Sequence, residues 1–116
     1  MRQLMSDVRQ IVNQEYDRAS KKFGEFNHTD HESYAIIKEE LEEGQEEINY
    51  LTDELHEFWG LVKHNFRDVD KLSCLAVIQS RALLAACELI QVAAMAHKAS
   101  LTIKNRIGDS NDTDKQ

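Results

Sequence analysis

The sequence predicts a single all-α domain. Two observations support the helical class, and the length of the chain supports the single domain. The chain of 116 residues contains no proline and only 4 glycines, so little interrupts long helices and little favours the tight turns of a β-fold. Apolar residues recur at alternating spacings of three and four over two long stretches. A chain of this length is expected to form one domain. We therefore expect an antiparallel helical bundle of three main helices.

The first helix is predicted from about Arg2 to Lys22, with Gly24 ending it. A loop over 25–30 follows. Thr29 and Glu32 then have the spacing of a capping box, in which the Thr29 hydroxyl serves the Glu32 amide and the Glu32 carboxylate reaches back. The apolar stripe of this helix is modest: Leu4, Val8, Ile11, Ala19 and Phe23.

The second helix shows a heptad pattern, with apolar residues or glycine at positions a and d and Leu41 at an a position. A break over 64–70 follows, with Asp68 or Asp70 as a plausible N-cap. The predicted a and d residues are Tyr34, Ile37, Leu41, Gly44, Ile48, Leu51, Leu55, Phe58 and Val62.

The third helix, from about Lys71 to Asn105, repeats this spacing with Leu89 at an a position. Further apolar residues on its other faces predict burial on more than one side, and so completion of the bundle by oligomerisation. Gly108 is expected to end the helix, giving one domain over 1–107 and a disordered polar tail over 108–116. The predicted a and d residues are Leu75, Ile78, Ala82, Ala85, Leu89, Val92, Ala96, Ala99 and Ile103, and the extra apolar residues include Leu83, Leu84, Ile90 and Ala94.

Composition excludes several classes of function. The net charge of -7 disfavours binding to nucleic acid or to an anionic membrane. No uninterrupted apolar run of membrane-spanning length is present and the N-terminus lacks a signal-peptide core, so a cytoplasmic location without a membrane partner is expected. Cys74 and Cys87 are expected to be buried small residues rather than a disulfide or a metal pair.

Two pairs of polar residues flank the predicted helix seams. Glu40 and Glu43 take positions g and c beside Leu41, and Glu88 and Gln91 take the same positions beside Leu89. Antiparallel packing brings g flanks together, so these four side chains can surround one point. Such a set of oxygen ligands suits Mg²⁺.

A glutamate-rich stretch is more often a solvated helix face, and that interpretation fits Glu39, Glu42 and Glu46. Glu88 is different because it lies among apolar residues, where an unpaired charge is costly to bury. A metal site or pairing with Arg81 would satisfy it.

Arg81 and Lys98 lie on the same flank as Glu88 and Gln91 and are candidates for phosphate contacts, although each can equally be a surface charge. Aromatic stacking on a nucleobase is open to Tyr34, Phe58 and Trp59, but core packing is the commoner use of such residues.

Two segments carry a resemblance to a known family: HESYAIIKEELEE over 31–43 and ELIQVAAMA over 88–96. Together they resemble the MazG-like nucleoside triphosphate pyrophosphohydrolases, of the all-α pyrophosphatase superfamily that includes dimeric dUTPases. The family pattern is E-E-x-x-E followed on a later helix by E-x-x-D. The similarity extends over roughly residues 28–100.

The resemblance implies hydrolysis of a nucleoside triphosphate between its α and β phosphates, with Mg²⁺, or alternatively Mn²⁺, as cofactor. It implies that Glu40, Glu43 and Glu88 are catalytic metal ligands, and that the protein is a dimer or tetramer. Gln91 stands where the pattern has aspartate, and its neutral amide oxygen is a weaker Mg²⁺ ligand. The alternative is therefore a non-catalytic helical binding or assembly module with the same fold.

Overall fold

The computed structural model describes the backbone of residues 1–114 and the side chains of residues 1–108. Three α-helices are present: α1 (Arg2–Phe23), α2 (Asp30–Lys63) and α3 (Asp68–Asp114). The described residues contain no strand. The prediction of an all-α fold with three helices is therefore confirmed.

The connection between α1 and α2 begins at Gly24, whose φ of 95° is a conformation that glycine adopts without strain. The N–H of Gly24 donates to the Ser20 carbonyl at 2.9 Å. The hydroxyl of Thr29 accepts from the Glu32 N–H at 3.0 Å, as the capping box predicts. The Glu32 carboxylate reaches back to the N–H of His28 at 3.2 Å, one residue earlier than in the standard motif.

The connection between α2 and α3 turns at Asn65, which has a φ of 53°. Its N–H donates to the Val62 carbonyl at 3.2 Å, and the N–H of Phe66 donates to the Leu61 carbonyl at 2.9 Å. This pair of bonds is a Schellman motif, in which asparagine tolerates the left-handed position usually given to glycine. The break is shorter than predicted, because α3 begins at Asp68.

The predicted end of α3 is wrong. The helix continues through Gly108 to Asp114, and residues 115–116 of the expected disordered tail lie outside the described residues. One glycine inside a helix costs only about 1 kcal/mol relative to alanine, which a long helix can absorb.

Contacts divide the chain into two compact units. The terminal unit comprises Met1–Glu40 together with α3 from Ile90 onward, and the hairpin unit comprises Leu41–Leu89. Helices α2 and α3 run uninterrupted through the points of division.

In the terminal unit, α1 packs through a stripe that differs from the predicted one. Val8, Val12 and Ala19 face inward, whereas Leu4 and Phe23 are 58% and 68% exposed. Ile11 is also exposed. The inner face of α1 therefore differs from the predicted apolar stripe, and it includes the polar residue Tyr16. The Tyr16 hydroxyl donates to the Glu25 carbonyl at 3.0 Å, and the Tyr16 ring packs edge-on against His97 with the ring centroids 4.9 Å apart.

A buried polar network fastens the α1–α2 loop to α3. The N–H of Asn27 donates to the Thr102 hydroxyl oxygen at 3.0 Å, and its side-chain amide donates to the Ser33 hydroxyl at 2.7 Å. The Thr102 hydroxyl donates in turn to the Lys98 carbonyl at 2.8 Å. Because buried polar groups are costly to leave unpaired, these bonds define the position of the loop. Sequence periodicity contains no signal for this network.

In the hairpin unit, α2 and α3 run antiparallel, because contacts move backward along α3 as they move forward along α2. The inner stripe consists mainly of heptad positions d and g rather than the predicted a and d, although Ile48 at an a position is also half-buried. The contacting pairs are Gly44 with Leu89, Glu47 with Arg81, and Glu54 with Cys74. The buried and half-buried d and g residues are Gly44, Glu47, Leu51, Glu54, Phe58 and Leu61 on α2, and Lys71, Cys74, Ile78, Arg81, Ala85 and Glu88 on α3.

Small residues lie at this contact. Gly44 and Ala85 are buried at d positions and allow the two backbones to approach closely, whereas the a-position leucines remain partly exposed. Antiparallel helices place matching flanks on one side, so the displaced a residues and the neighbouring e residues share one outer face. We call this set the apolar face: Leu41, Leu55, Trp59, Val62, Leu72, Leu75 and Leu89, each 41–65% exposed.

The two cysteines have different surroundings, and both are free. Cys74 is buried as expected, and burial followed by the nearby Glu54 carboxylate raises the pKa of its thiol. Cys87 is exposed, so the prediction that it is buried is wrong.

By length and composition alone, the stretch Asp68–Gly108 of α3 could cross a membrane. The stretch meets this criterion although it contains no uninterrupted apolar run, because the criterion allows up to two charged residues in an 18-residue window. A single helix of this kind is a weak indication, since the core helix of a soluble protein has the same properties.

Replacing Gly44 with alanine should stabilise the protein. The new Cβ would lie 3.5 Å from Leu89 Cδ2 and 3.6 Å from Glu88 Cβ, which is ordinary van der Waals contact. The gain in helix propensity is about 0.5–1 kcal/mol, visible as a higher urea midpoint. Gly60→Ala, with no atom within 4 Å of its Cβ, serves as the control for propensity alone. If Gly44→Ala lowers the urea midpoint whereas Gly60→Ala does not, the packing of α2 against α3 requires glycine at position 44.

Candidate functional site

The hairpin unit brings Glu43 of α2 and Glu88 of α3 together. Their carboxylate oxygens lie within 4.8 Å of each other. Gly44, the residue after Glu43, is buried against the stem of Glu88, so the close approach of the backbones positions both carboxylates. Glu43 is exposed and Glu88 is half-buried.

Glu40 stands one helical turn before Glu43 on the same helix, α2. Glu40 is half-buried. We call Glu40, Glu43 and Glu88 the acidic cluster. Each can offer a hard oxygen ligand, the type that divalent cations such as Mg²⁺ bind.

Among these three glutamates, Glu88 has a shifted pKa. Burial raises its pKa above the usual range, and the hydrogen bond with Glu43 and the charges of Glu43 and Glu47 raise it further. All three causes disfavour the ionised form. A bound cation would reverse this preference by compensating the clustered negative charge.

Arg81 does not pair with Glu88, the partner considered from the sequence. It forms an ion pair with Glu47 at 3.3 Å and lies over the Tyr50 ring at 4.5 Å from the centroid. Both contacts lie within the hairpin unit. Arg81 would have to leave them in order to contact a phosphate.

Gln91 belongs to a polar network in the terminal unit. Its amide nitrogen donates to Glu15 Oε1 at 2.6 Å. Glu15 also accepts from the guanidinium of Arg18, with Nε at 3.0 and 3.1 Å and a short bond from Nη2. The Arg18 guanidinium, followed by the Gln91 amide, lowers the pKa of Glu15 from its ordinary 4.5 to about 2. The Glu15 side chain, 18% exposed, is therefore ionised at neutral pH.

A cavity of about 420 Å³ lies in the terminal unit, and we call it the terminal-unit cavity. Lys98, only 5% exposed, contributes a buried cationic side chain to its wall. This volume falls within the range of small-molecule sites. The lining residues are Arg18, Ala19, Phe23, Glu32, Ile36, Glu40, Gln91, Met95 and Lys98.

The three glutamates assigned to a solvated face of α2 are exposed as that interpretation predicts. Glu39, Glu42 and Glu46 are exposed, and Glu46 accepts a bond from the Tyr50 hydroxyl at 3.3 Å. Tyr34 and Trp59 are 68% and 58% exposed, so the expectation that they pack in a core does not describe this chain alone.

Sequence reasoning missed Glu15 and Arg18 as members of a site. A signal was present, because their i, i+3 spacing allows an ion pair on one helix. Their proximity to Gln91 could not be inferred, because it depends on how α1 packs against α3.

Comparison with models of protein families, with curated proteins and with solved structures finds no match for this chain. The resemblance to the MazG-like enzymes therefore stays a prediction.

Glu88→Gln should stabilise the metal-free protein at pH 7. A carboxyl whose pKa is raised in the folded state disfavours folding once it ionises. The difference from wild type should be near zero below about pH 4.5 and grow as the pH rises through the folded-state pKa, reaching roughly a few degrees in Tm. Thermal melts in EDTA between pH 4 and 8 measure it.

Glu39→Gln, on the exposed face of the same helix, is the matched control and should show no such pH dependence. Added Mg²⁺ should raise the Tm of wild type more than that of Glu88→Gln. A constant difference across the whole pH range would contradict the assignment of the strain to Glu88 ionisation.

Proposed function

We propose that this chain is a Mg²⁺-dependent nucleotide pyrophosphohydrolase, which cleaves a ribo- or deoxyribonucleoside triphosphate to the monophosphate and pyrophosphate. The observation that supports it lies in the acidic cluster, where the carboxylates of Glu43 and Glu88 approach each other within the hairpin unit. We also propose that the activity is cytoplasmic.

The donor set fits a hard divalent cation. Three carboxylates can supply oxygen ligands. Burial raises the pKa of Glu88, and the carboxylates of Glu43 and Glu47 raise it further, so a bound cation would favour its ionised form. Mg²⁺ suits such ligands, and Mn²⁺ accepts the same set. By resemblance, Gln91 would be the fourth member.

In the proposed reaction, water attacks the α-phosphorus and releases its proton to solvent, the bond from the α-phosphorus to the α–β bridging oxygen breaks, and pyrophosphate leaves with that oxygen. When bound, the ion would neutralise triphosphate charge and polarise the attacked phosphorus. Glu40, Glu43 and Glu88 would hold the ion. Lys98 is the better candidate for a phosphate contact, because it lines a cavity whereas Arg81 is committed to Glu47 and Tyr50.

The second candidate function is a non-catalytic helical binding or assembly module. Gln91 favours it, because an amide stands at the position of an expected acidic ligand and its nitrogen is bound to Glu15. This function predicts a folded protein that binds a partner without releasing pyrophosphate.

We further propose that the antiparallel helices form a bundle completed by a second copy of the chain, as a dimer or as a dimer of dimers. The apolar face of the hairpin unit exposes large residues along both helices, and only Cys74 and Ala85 are buried apolar side chains in this unit. A patch of this kind marks an interaction surface, and an identical copy offers a matching one. Ala94, expected to be part of such a surface, is instead fully buried in the terminal unit.

Glu43→Gln should lower pyrophosphate release on the order of 100-fold, because it removes a ligand charge where triphosphate charge must be balanced. The assay uses a panel of ribo- and deoxyribonucleoside triphosphates at saturating Mg²⁺, repeated with Mn²⁺. Glu42→Gln, exposed on the same helix one residue earlier, should change the rate little.

Two results would count against the enzyme. Equal losses in Glu43→Gln and Glu42→Gln would mean that the acidic cluster does not hold the metal. No turnover of any nucleotide by folded wild type would leave the binding module as the function.

Leu55→Glu should dissociate the proposed oligomer, since it places a charge in the centre of the apolar face. Light scattering should give at least twice the mass of one chain for wild type at micromolar concentration, and the mass of one chain for the variant. Leu4→Glu, 58% exposed on α1 compared with 59% for Leu55, is the control and should keep the wild-type mass. A monomeric wild type would exclude this assembly.

A further inference from the structure

The contact between Glu15 and Gln91 joins an amide to a carboxylate that is itself held by Arg18. The Gln91 nitrogen lies 2.6 Å from Glu15 Oε1, and all three residues belong to the terminal unit. The acidic motifs do not include Glu15, so the pyrophosphohydrolase assignment gives this residue no role.

The chemistry of the pair sets the orientation of the amide. A glutamine side chain has one donor end and one acceptor end, whereas an ionised carboxylate only accepts. The nitrogen of Gln91 must therefore face Glu15, and its oxygen must face another direction. Because Gln91 also lines the terminal-unit cavity, its oxygen is the amide atom left to serve a ligand there.

The cavity has a wall of mixed chemistry. Phe23, Ile36 and Met95 provide apolar surface, and the buried Lys98 provides positive charge, as does Arg18, which is paired with Glu15. Glu32 and Glu40 add carboxylates to the same wall. A ligand that matches this wall combines an apolar body, an anionic group for Lys98, and hydrogen-bond donors for the carboxylates and the amide oxygen. A nucleoside 5′-phosphate has all three.

We propose that Glu15 is a positioning residue which orients Gln91, so that the amide oxygen of Gln91 accepts a hydrogen bond from a hydroxyl or amino group of a nucleotide in the terminal-unit cavity. The proposal rests on the nucleotide substrate of the proposed function. It also changes the role of Gln91, which then serves the nucleotide rather than the metal. A carboxylate still lies beside position 91, where the family pattern has aspartate, but it belongs to Glu15 of α1.

The test is a double-mutant cycle on the binding of nucleoside 5′-monophosphates in EDTA, measured by calorimetry with a ribo- and deoxyribonucleotide panel. Glu15→Met should weaken binding of the preferred monophosphate about three- to tenfold, the usual worth of one hydrogen bond. In a Gln91→Met background, the same change at Glu15 should have almost no effect, because Glu15 acts through Gln91. Glu15→Gln retains an acceptor oxygen and should lose less than Glu15→Met.

The matched control is Asp7→Leu, which removes the carboxylate of an equivalent pair on the exposed side of α1, where the Gln3 amide donates to Asp7 at 2.9 Å. It should leave binding unchanged. Inorganic phosphate should compete poorly, since it lacks the base and sugar. Circular dichroism confirms that each variant retains its helices.

The outcomes separate this proposal from the enzyme assignment. Monophosphate binding that depends on Glu15 only when Gln91 is present, with no pyrophosphate release from triphosphates, would support the positioning role and exclude the enzyme. Pyrophosphate release by a protein in which Glu15→Met changes nothing, or loses the same factor in both backgrounds, would overturn the positioning role and keep the enzyme. Equal binding of inorganic phosphate and monophosphates would also overturn it.

Discussion

The close approach of α2 and α3 at Gly44 is the constraint on which the hairpin unit depends. A glycine there, with Ala85 on the facing helix, lets the backbones pack closely through heptad positions d and g. Position g carries charged residues, so the close packing turns Glu47, Arg81 and Glu88 toward the helix interface. The acidic pair and the Arg81–Glu47 ion pair both lie along this contact between the two helices.

This packing has an electrostatic cost. Glu43 and Glu88 share a hydrogen bond while Glu47 adds a third charge nearby, and these groups together with burial hold the pKa of Glu88 above its usual range. Arg81 offsets part of the charge by pairing with Glu47, and its cation is further stabilised over Tyr50. The remaining unfavourable electrostatic energy is at Glu88 and Glu43, two of the residues proposed to bind a cation. An arrangement of this kind is common at functional sites, where stability is lower than packing alone would allow.

The terminal unit is held together differently. Its loop is fastened by Asn27, Ser33 and Thr102 through buried hydrogen bonds, and its ion pair between Arg106 and Asp30 spans α3 and the start of α2. Polar contacts are directional, so they specify positions more narrowly than apolar packing does. The Glu15–Gln91 hydrogen bond is another directional polar contact of this unit. It holds the Gln91 side chain in one orientation in the wall of the terminal-unit cavity.

The sequence by itself determined the helical class, the number of helices, most of their ends and the two segments that supply Glu40, Glu43 and Glu88. These features depend on local properties: apolar periodicity, the absence of proline, and the placement of Gly24 and Thr29. Only the tertiary structure decided which heptad positions face inward, because that choice depends on how two segments distant in the sequence pack against each other. The partner of Arg81, the exposure of the a-position leucines and the bond between Glu15 and Gln91 follow from the same kind of long-range packing, which spacing along one helix does not contain.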